Sequence, residues 1–352
     1  MRTDWTNLQA PLQQALDTAI ANGEEHSCQL AIYHHGRKVV SLCAGPNVTL
    51  KSLFPVFSCS KSVVATIVAR LVQKGLLSYD TYVRDLWPEF ACNGKEEMQL
   101  WHFMSHRAAL YEMPIPNTSE EMADWNRMCA LLAAAKPAGP IGGKQTYHGV
   151  TYAWLVGEMI RRATRKPFTE VLREEVLAPL GLEGDIVYGA DAAAEARYVP
   201  VDATACAGGA DWCSKTMNNP VLRRACIPSF TGLMTAEALA RHYAALVGEV
   251  DGVRLLNPEI LEKATTLCRS PEDPLREPSQ WDKFGMGYAL MGPPEDWGAL
   301  FGQGGACGSE GMAFKKEQVA IAFTKNKSLP CHPNHKIRDT LSDILEIPHR
   351  LW

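Results

Sequence analysis

A chain of 352 residues, 46% of them hydrophobic, is long enough to bury a large core, as one domain or as two intimately joined ones. Its formal net charge of −4 and the absence of any basic run point away from nucleic acid as a partner. The N-terminal stretch from Met1 to Leu8 lacks the apolar core of a signal peptide, and no apolar run is long enough to cross a bilayer, so a cytoplasmic protein with no membrane partner is expected. Eleven cysteines, scattered without Cys-x-x-Cys spacing, read as reduced and mostly buried thiols rather than disulfides or zinc ligands, and metal catalysis has no support.

From Trp5 to Asn22, the residues Leu8, Leu12, Leu16 and Ile20 recur on one side of a helix. Cys28 to His34, a His35-Gly36 turn and Arg37 to Cys43 form a β-hairpin signal. Val63, Val64, Ile67, Val68, Leu71 and Val72 repeat at helical spacing with alanines between them, which predicts a helix enclosed on most sides and ended by Gly75. Helices and irregular loops follow over 80–90, and further helices are expected at 100–106, 120–135, 151–164 and 168–177. The segment from Tyr188 to Ser229 has little periodicity and reads as a loop-rich cover over a cleft. Helices at 236–247 and 258–266 precede four short strands, at 286–291, 297–302, 311–314 and 319–324, and a last helix at 334–345.

Strands near both ends with helices between them predict an α+β fold: one antiparallel sheet flanked by helices, completed by both termini, with a helical domain inserted. The boundaries expected are 1–57 with 229–352 for the α/β sandwich domain, and 58–228 for the mainly helical domain with its cleft cover.

The chemistry concentrates at Ser58-Cys-Ser-Lys61, where the enclosed helix begins. A serine and a lysine three apart share a helical face, separated by about 4.5 Å along the axis. Among the serines of this chain, Ser58 alone has a lysine three residues on, and that lysine falls in a stretch that reads as buried. Burial and the helix N-terminus both disfavour its charged form, so Lys61 can accept the serine proton. Cys59 is a rival nucleophile on paper, but the next position on a helix points about 100° away.

Tyr147, in a loop ahead of the helix at 151–164, can pass a proton between amine and hydroxyl, its pKa lowered by the nearby cation; His148 is a substitute base ranked below it. The run Gly302-Gln303-Gly304-Gly305-Ala306 lies between two strands, where glycines let substrate approach an edge strand and leave N–H groups exposed. His106, Trp101 and His102 read as structural.

These elements, in this order and spacing, resemble the serine β-lactamase/penicillin-binding-protein superfamily, most of all the class C β-lactamases and the family VIII carboxylesterases built on the same fold. Ser58 to Lys61 looks like the family's Ser-x-x-Lys; Ser105 to Leu110 resembles Ser-His-x-Ser-Gly-Leu; Tyr147-His148-Gly149 falls at Tyr-x-Asn, and Gln303-Gly304-Gly305 at Lys-Thr-Gly or His-Gly-Gly. The resemblance implies a β-lactamase/transpeptidase-like fold and a covalent acyl-enzyme with no cofactor. Ser58 would be the nucleophile and Lys61 with Tyr147 the proton-handling pair, while Ser58 and Ala306 would supply the oxyanion N–H donors. Gln303, Gly304, Gly305, His148 and Gly149 would line the substrate. Gln303 in place of a cation, and Gly149 in place of the asparagine, favour a neutral ester or thioester over a β-lactam. The expectation is a carboxylesterase taking a small-molecule acyl substrate. An acyltransferase with an alcohol or amine acceptor is the alternative, with β-lactamase and non-catalytic scaffold behind it.

Overall fold

The computed structural model describes residues 4–114, 118–209, 211–269, 283–328 and 335–349. Helix α1 (Gln9–Ala21) buries Leu12, Leu16 and Ala19 along one face, as its spacing requires, and Trp5 and Leu8 just ahead of it are also buried. Strands β1 (Cys28–His34) and β2 (Arg37–Ala44) form the expected hairpin. His35 and Gly36, both at positive φ, turn it. Short strand β3 (Phe54–Pro55) leads through a tight turn into α2 (Ser60–Gln73), in which every residue from Ser60 to Ala69 is buried. Gly75, at φ +70, follows it and closes the helix with a left-handed turn.

Beyond α2, helices α3 (Trp125–Ala134) and α4 (Tyr152–Thr164) dominate. The helix expected over 120–135 is broken at Asp124, whose extended backbone and side chain cap α3. The segment from 188 to 229 is less irregular than its composition implies: it holds short helices at Ala192–Glu195 and Pro220–Arg223, and α5 (Trp212–Met217). Each of the first and last starts behind an Asp or Asn cap, a local signal too short to show as periodicity. Helix α6 (Ala236–Val247) and the turn of helix at Pro258–Ala264 follow.

Strands β4 (Ile186–Val187) and β5 (Leu233–Met234) form a small sheet with β3. The main sheet ends with β6 (Ala289–Leu290), β7 (Leu300–Gly304), β8 (Glu310–Phe314) and β9 (Val319–Lys325). Its order is β2-β1-β9-β8-β7-β6, antiparallel at every pairing, so the N-terminal hairpin adds directly to the C-terminal strand. The strand expected over 286–291 shrinks to two residues, because Gly287 at φ +92 turns the chain just before it. Helix α7 (His335–Leu345) ends the fold; the expected start at Asn334 lies outside the described residues.

Alternation along the strands sorts the side chains into two layers. Leu30, Ile32, Met312, Phe314, Ile321 and Phe323 pack with Leu12, Leu16 and Leu341 under α1 and α7. The opposite face presents Ala31, Ala313, Ala320 and Ala322, and these small residues admit α6 closely. At Gly311 even a Cβ would come within 2.6 Å of the Tyr243 ring. The turn ahead of α2 lies against the end of β7, where Cys59 Sγ is 3.2 Å from the Gln303 carbonyl oxygen. Among the described residues no helix is long and apolar enough to cross a membrane.

Candidate active site

Ser58 sits in a single 3-10 turn, Phe57–Cys59, that runs into α2. Phe57 ahead of it has φ +47, a left-handed conformation that bulky side chains rarely hold and that costs about 1–3 kcal/mol. The neighbours enforce it: Phe57 is fully buried, and a Cβ on Gly305 would lie 2.3 Å from the Val56 carbonyl oxygen. Glycine at 305 therefore lets the end of β7 close directly onto the turn that carries Ser58.

Lys61 is completely buried. Its Nζ lies 3.2 Å from Ser58 Oγ, 2.7 Å from the Gly149 carbonyl oxygen and 2.8 Å from that of Ser229. Burial lowers its pKa from 10.5 to about 7. A neutral amine has two N–H groups and one lone pair. With both carbonyls accepting from it, the amine has one further neighbour, the Ser58 hydroxyl.

Tyr147 is 40% exposed as a whole, yet its hydroxyl end meets the buried Gln303. Gln303 Nε2 donates to the Tyr147 Oη at 3.3 Å, and Lys61 Nζ is 5.0 Å from the ring centroid. The expected lowering of its pKa does not occur. Desolvation of the phenol dominates and raises it, partly opposed by the nearby Ser58 hydroxyl, and the lysine that was to lower it is itself driven toward neutrality. Tyr147 is therefore a protonated donor rather than a phenolate.

The loop of Tyr147 is held by His106, whose ring packs tilted against that of Tyr147 at 4.7 Å between centroids, and which takes the Thr146 N–H on its carbonyl and accepts the His148 N–H on Nδ1. Accepting at Nδ1 makes the imidazole neutral, consistent with a pKa pushed well down by burial and by His148. His106 thus positions Tyr147, as its structural reading anticipates. His148 is fully buried and its Nε2 accepts the Leu110 N–H at 3.0 Å, so its ring faces the interior, away from any substrate or base role. That corrects both expectations for it: adjacent loop residues point to opposite sides, and Tyr147 takes the open one.

Gly149 contributes its carbonyl to Lys61, and around its Cα a Cβ would meet only the Tyr147 ring at 3.8 Å. Gln303 is buried and directs Nε2 to Tyr147 and to the Gly304 carbonyl at 3.4 Å; since a carbonyl only accepts, this fixes which end of the amide is nitrogen. Gly304 is open to solvent. In the turn beyond, the Gly305 N–H donates to the Ser309 carbonyl at 2.7 Å and that of Gly308 to Gly305 at 2.8 Å. The intervening Ala306 N–H has no partner among the described residues, nor does that of Ser58. Cys59 is fully buried, donates its S–H to the carbonyls of Gln303 at 3.2 Å and Ser309 at 3.3 Å, and has its pKa pushed up to about 12 by burial. It belongs to the core between α2 and β7, not to the site.

Sequence reasoning missed Ser229, whose backbone carbonyl holds Lys61 and whose hydroxyl ties to Val150 at 2.9 Å. A carbonyl carries no side-chain signal. The clue available was only that a buried lysine needs acceptors.

The sequence pattern of the beta-lactamase family matches residues 12–343. The esterase/beta-lactamase LipL of Mycobacterium tuberculosis is 31% identical over 345 residues, covering 85% of this chain and 77% of that protein. A penicillin-binding protein homolog from Caulobacter crescentus is 30% identical with a TM-score of 0.77, covering 92% of this chain and 93% of that one. A family VIII carboxylesterase superposes with a TM-score of 0.83 at 22% identity, over 96% of this chain and 98% of its own.

Proposed function

The chain belongs to the beta-lactamase family of serine hydrolases, and on that premise we propose that it is a carboxylesterase that cleaves neutral esters or thioesters through an acyl group on Ser58. What carries this reading is the donor inventory at Lys61, where two carbonyls take the N–H groups of a near-neutral amine and leave its lone pair for Ser58. Lys61 removes the hydroxyl proton as Oγ attacks the substrate carbonyl. The N–H groups of Ser58 and Ala306 take the developing oxyanion. Tyr147, kept protonated by burial, gives its proton to the leaving oxygen or sulfur and is recharged from the lysine. Water, activated by the same pair, then releases the acid and restores Ser58.

The substrate class follows from charge. Where the family pattern has a lysine or histidine this chain has Gln303, a neutral amide already engaged with Tyr147. A substrate carboxylate at that place would be desolvated against an amide and a carbonyl, which favours an uncharged ester. LipL bears the name esterase/beta-lactamase, which supports the same reading.

The test is intact-protein mass after mixing with p-nitrophenyl butyrate, comparing wild type with Ser58→Ala. A butyryl adduct or turnover in wild type alone is expected. Neither adduct nor turnover, with ester, thioester and β-lactam probes alike, overturns the proposal. Faster product formation when an alcohol or amine is added, with the acyl group found on it, moves the assignment to acyl transfer.

A further inference from the structure

Among the described residues Trp212 is an anomaly: an indole 50% exposed at the start of α5. Its ring centroid is 5.9 Å from that of Phe57 and 6.0 Å from that of Phe230. Phe57 immediately precedes Ser58, and Phe230 immediately follows Ser229, whose carbonyl holds Lys61. Both phenylalanines are buried, so Trp212 is the exposed member of a three-ring cluster tied to the reacting centre through two separate stretches of chain.

Its helix is fixed in place as well. Asp211 caps α5 by accepting the Ser214 N–H at 2.8 Å, and its carboxylate also takes the Ser328 hydroxyl, beyond the end of β9. The buried Cys213 thiol meets that of Cys307, next to Ala306. An exposed indole held this firmly is preorganised to bind something apolar.

Three groups other than Ser58 Oγ surround the carbon under attack. The oxyanion points to the Ala306 N–H, and the leaving group must reach the Tyr147 hydroxyl. Tyr147 is backed by His106 at 4.7 Å and Phe284 at 5.5 Å between ring centroids, so that side is a separate aromatic wall. The acyl carbon chain takes the remaining direction.

Building on the esterase reading, we infer that the exposed face of Trp212 is the wall along which the acyl chain lies, and that the substrates are esters of apolar acyl groups long enough to cover the indole. Trp212 is a specificity-determining residue with no part in proton transfer. Each methylene laid against it gains about fourfold in kcat/KM.

The experiment compares wild type, Trp212→Ala and Trp212→Phe on p-nitrophenyl acetate, butyrate and octanoate, and on a second series in which the leaving alcohol varies at constant acetyl. Trp212→Ala is expected to lower kcat/KM for octanoate by about tenfold or more while leaving acetate within about threefold, with Trp212→Phe in between. The leaving-group series should show one common ratio of variant to wild type. An equal loss across acyl lengths, an unchanged octanoate-to-acetate ratio, or a ratio that follows the leaving group would each overturn the inference while the esterase reading stands. Absence of turnover by wild type on every ester fails the esterase reading itself.

Discussion

Replacing Lys61 with methionine separates what the lysine does for catalysis from what it does to stability. The amine is fully buried, and its pKa falls from 10.5 to about 7 through loss of solvation. At about 1.4 kcal/mol for each tenfold in proton affinity, wild type carries about 5 kcal/mol of penalty at pH 7 and below, relative to a pH above both values. The sign follows from the protons. Between pH 7 and 10.5 the unfolded chain holds the Lys61 proton and the folded chain does not, so wild-type stability rises with pH over that window. Below pH 7 both forms hold it, and the penalty is constant. Methionine removes the penalty but leaves the Gly149 and Ser229 carbonyls without their donor, at about 1–3 kcal/mol each. The absolute difference at pH 7 is thus a small remainder, whereas its pH dependence is large. Urea denaturation of both proteins at pH 7, 8.5 and 9.5 should show the advantage of Lys61→Met, whatever its value at pH 7, falling by about 1.4 kcal/mol per pH unit. Other titrating groups are common to both proteins and cancel. A difference that stays flat from pH 7 to 9.5 would refute the depressed pKa, and with it the aimed neutral base. The same pKa requires kcat/KM of wild type to rise through about pH 7, with activity at pH 6 about a tenth of the plateau. Lys61→Met should be inactive throughout.

Tyr147→Phe keeps the ring that packs against His106 and Phe284 but removes the proton donor, and is expected to lower kcat by about 10²–10³ with little change in KM; an unchanged kcat would assign leaving-group protonation elsewhere. Gly305→Ala places a methyl 2.3 Å from the Val56 carbonyl oxygen, so the turn holding Ala306 must move; thermal melting and kcat should both fall, and an enzyme of full activity would show that this close approach does not set the oxyanion site. Cys59→Ala should keep activity within about threefold while lowering stability by about 1–2 kcal/mol, because its thiol is a core group bonded to two carbonyls; loss of the acyl adduct in this variant would make Cys59 the nucleophile.

The sequence by itself determined the elements whose signal is periodic or local. Leu12 and Leu16 mark α1, Cys28 to Cys43 the hairpin, and the apolar repeat from Val63 to Val72 the buried α2, because burial on a helix or strand imposes a spacing that side chains must obey. Ser58 and Lys61 were legible for the same reason: three positions on one helix meet whatever the rest of the chain does. Tyr147 was readable as a loop phenol able to pass a proton, and the run of Gln303 to Ala306 as an open edge, but only the resemblance joined them to Ser58, since nothing local says that residues so far apart in sequence converge. Only the tertiary structure decided the rest. It turned His148 inward to Leu110, set Phe57 left-handed under the contact of Gly305 with Val56, and brought the carbonyls of Gly149 and Ser229 onto one amine. Those choices determine which proton is where. They depend on desolvation and on backbone carbonyls that every residue carries, so they leave no trace in the order of side chains.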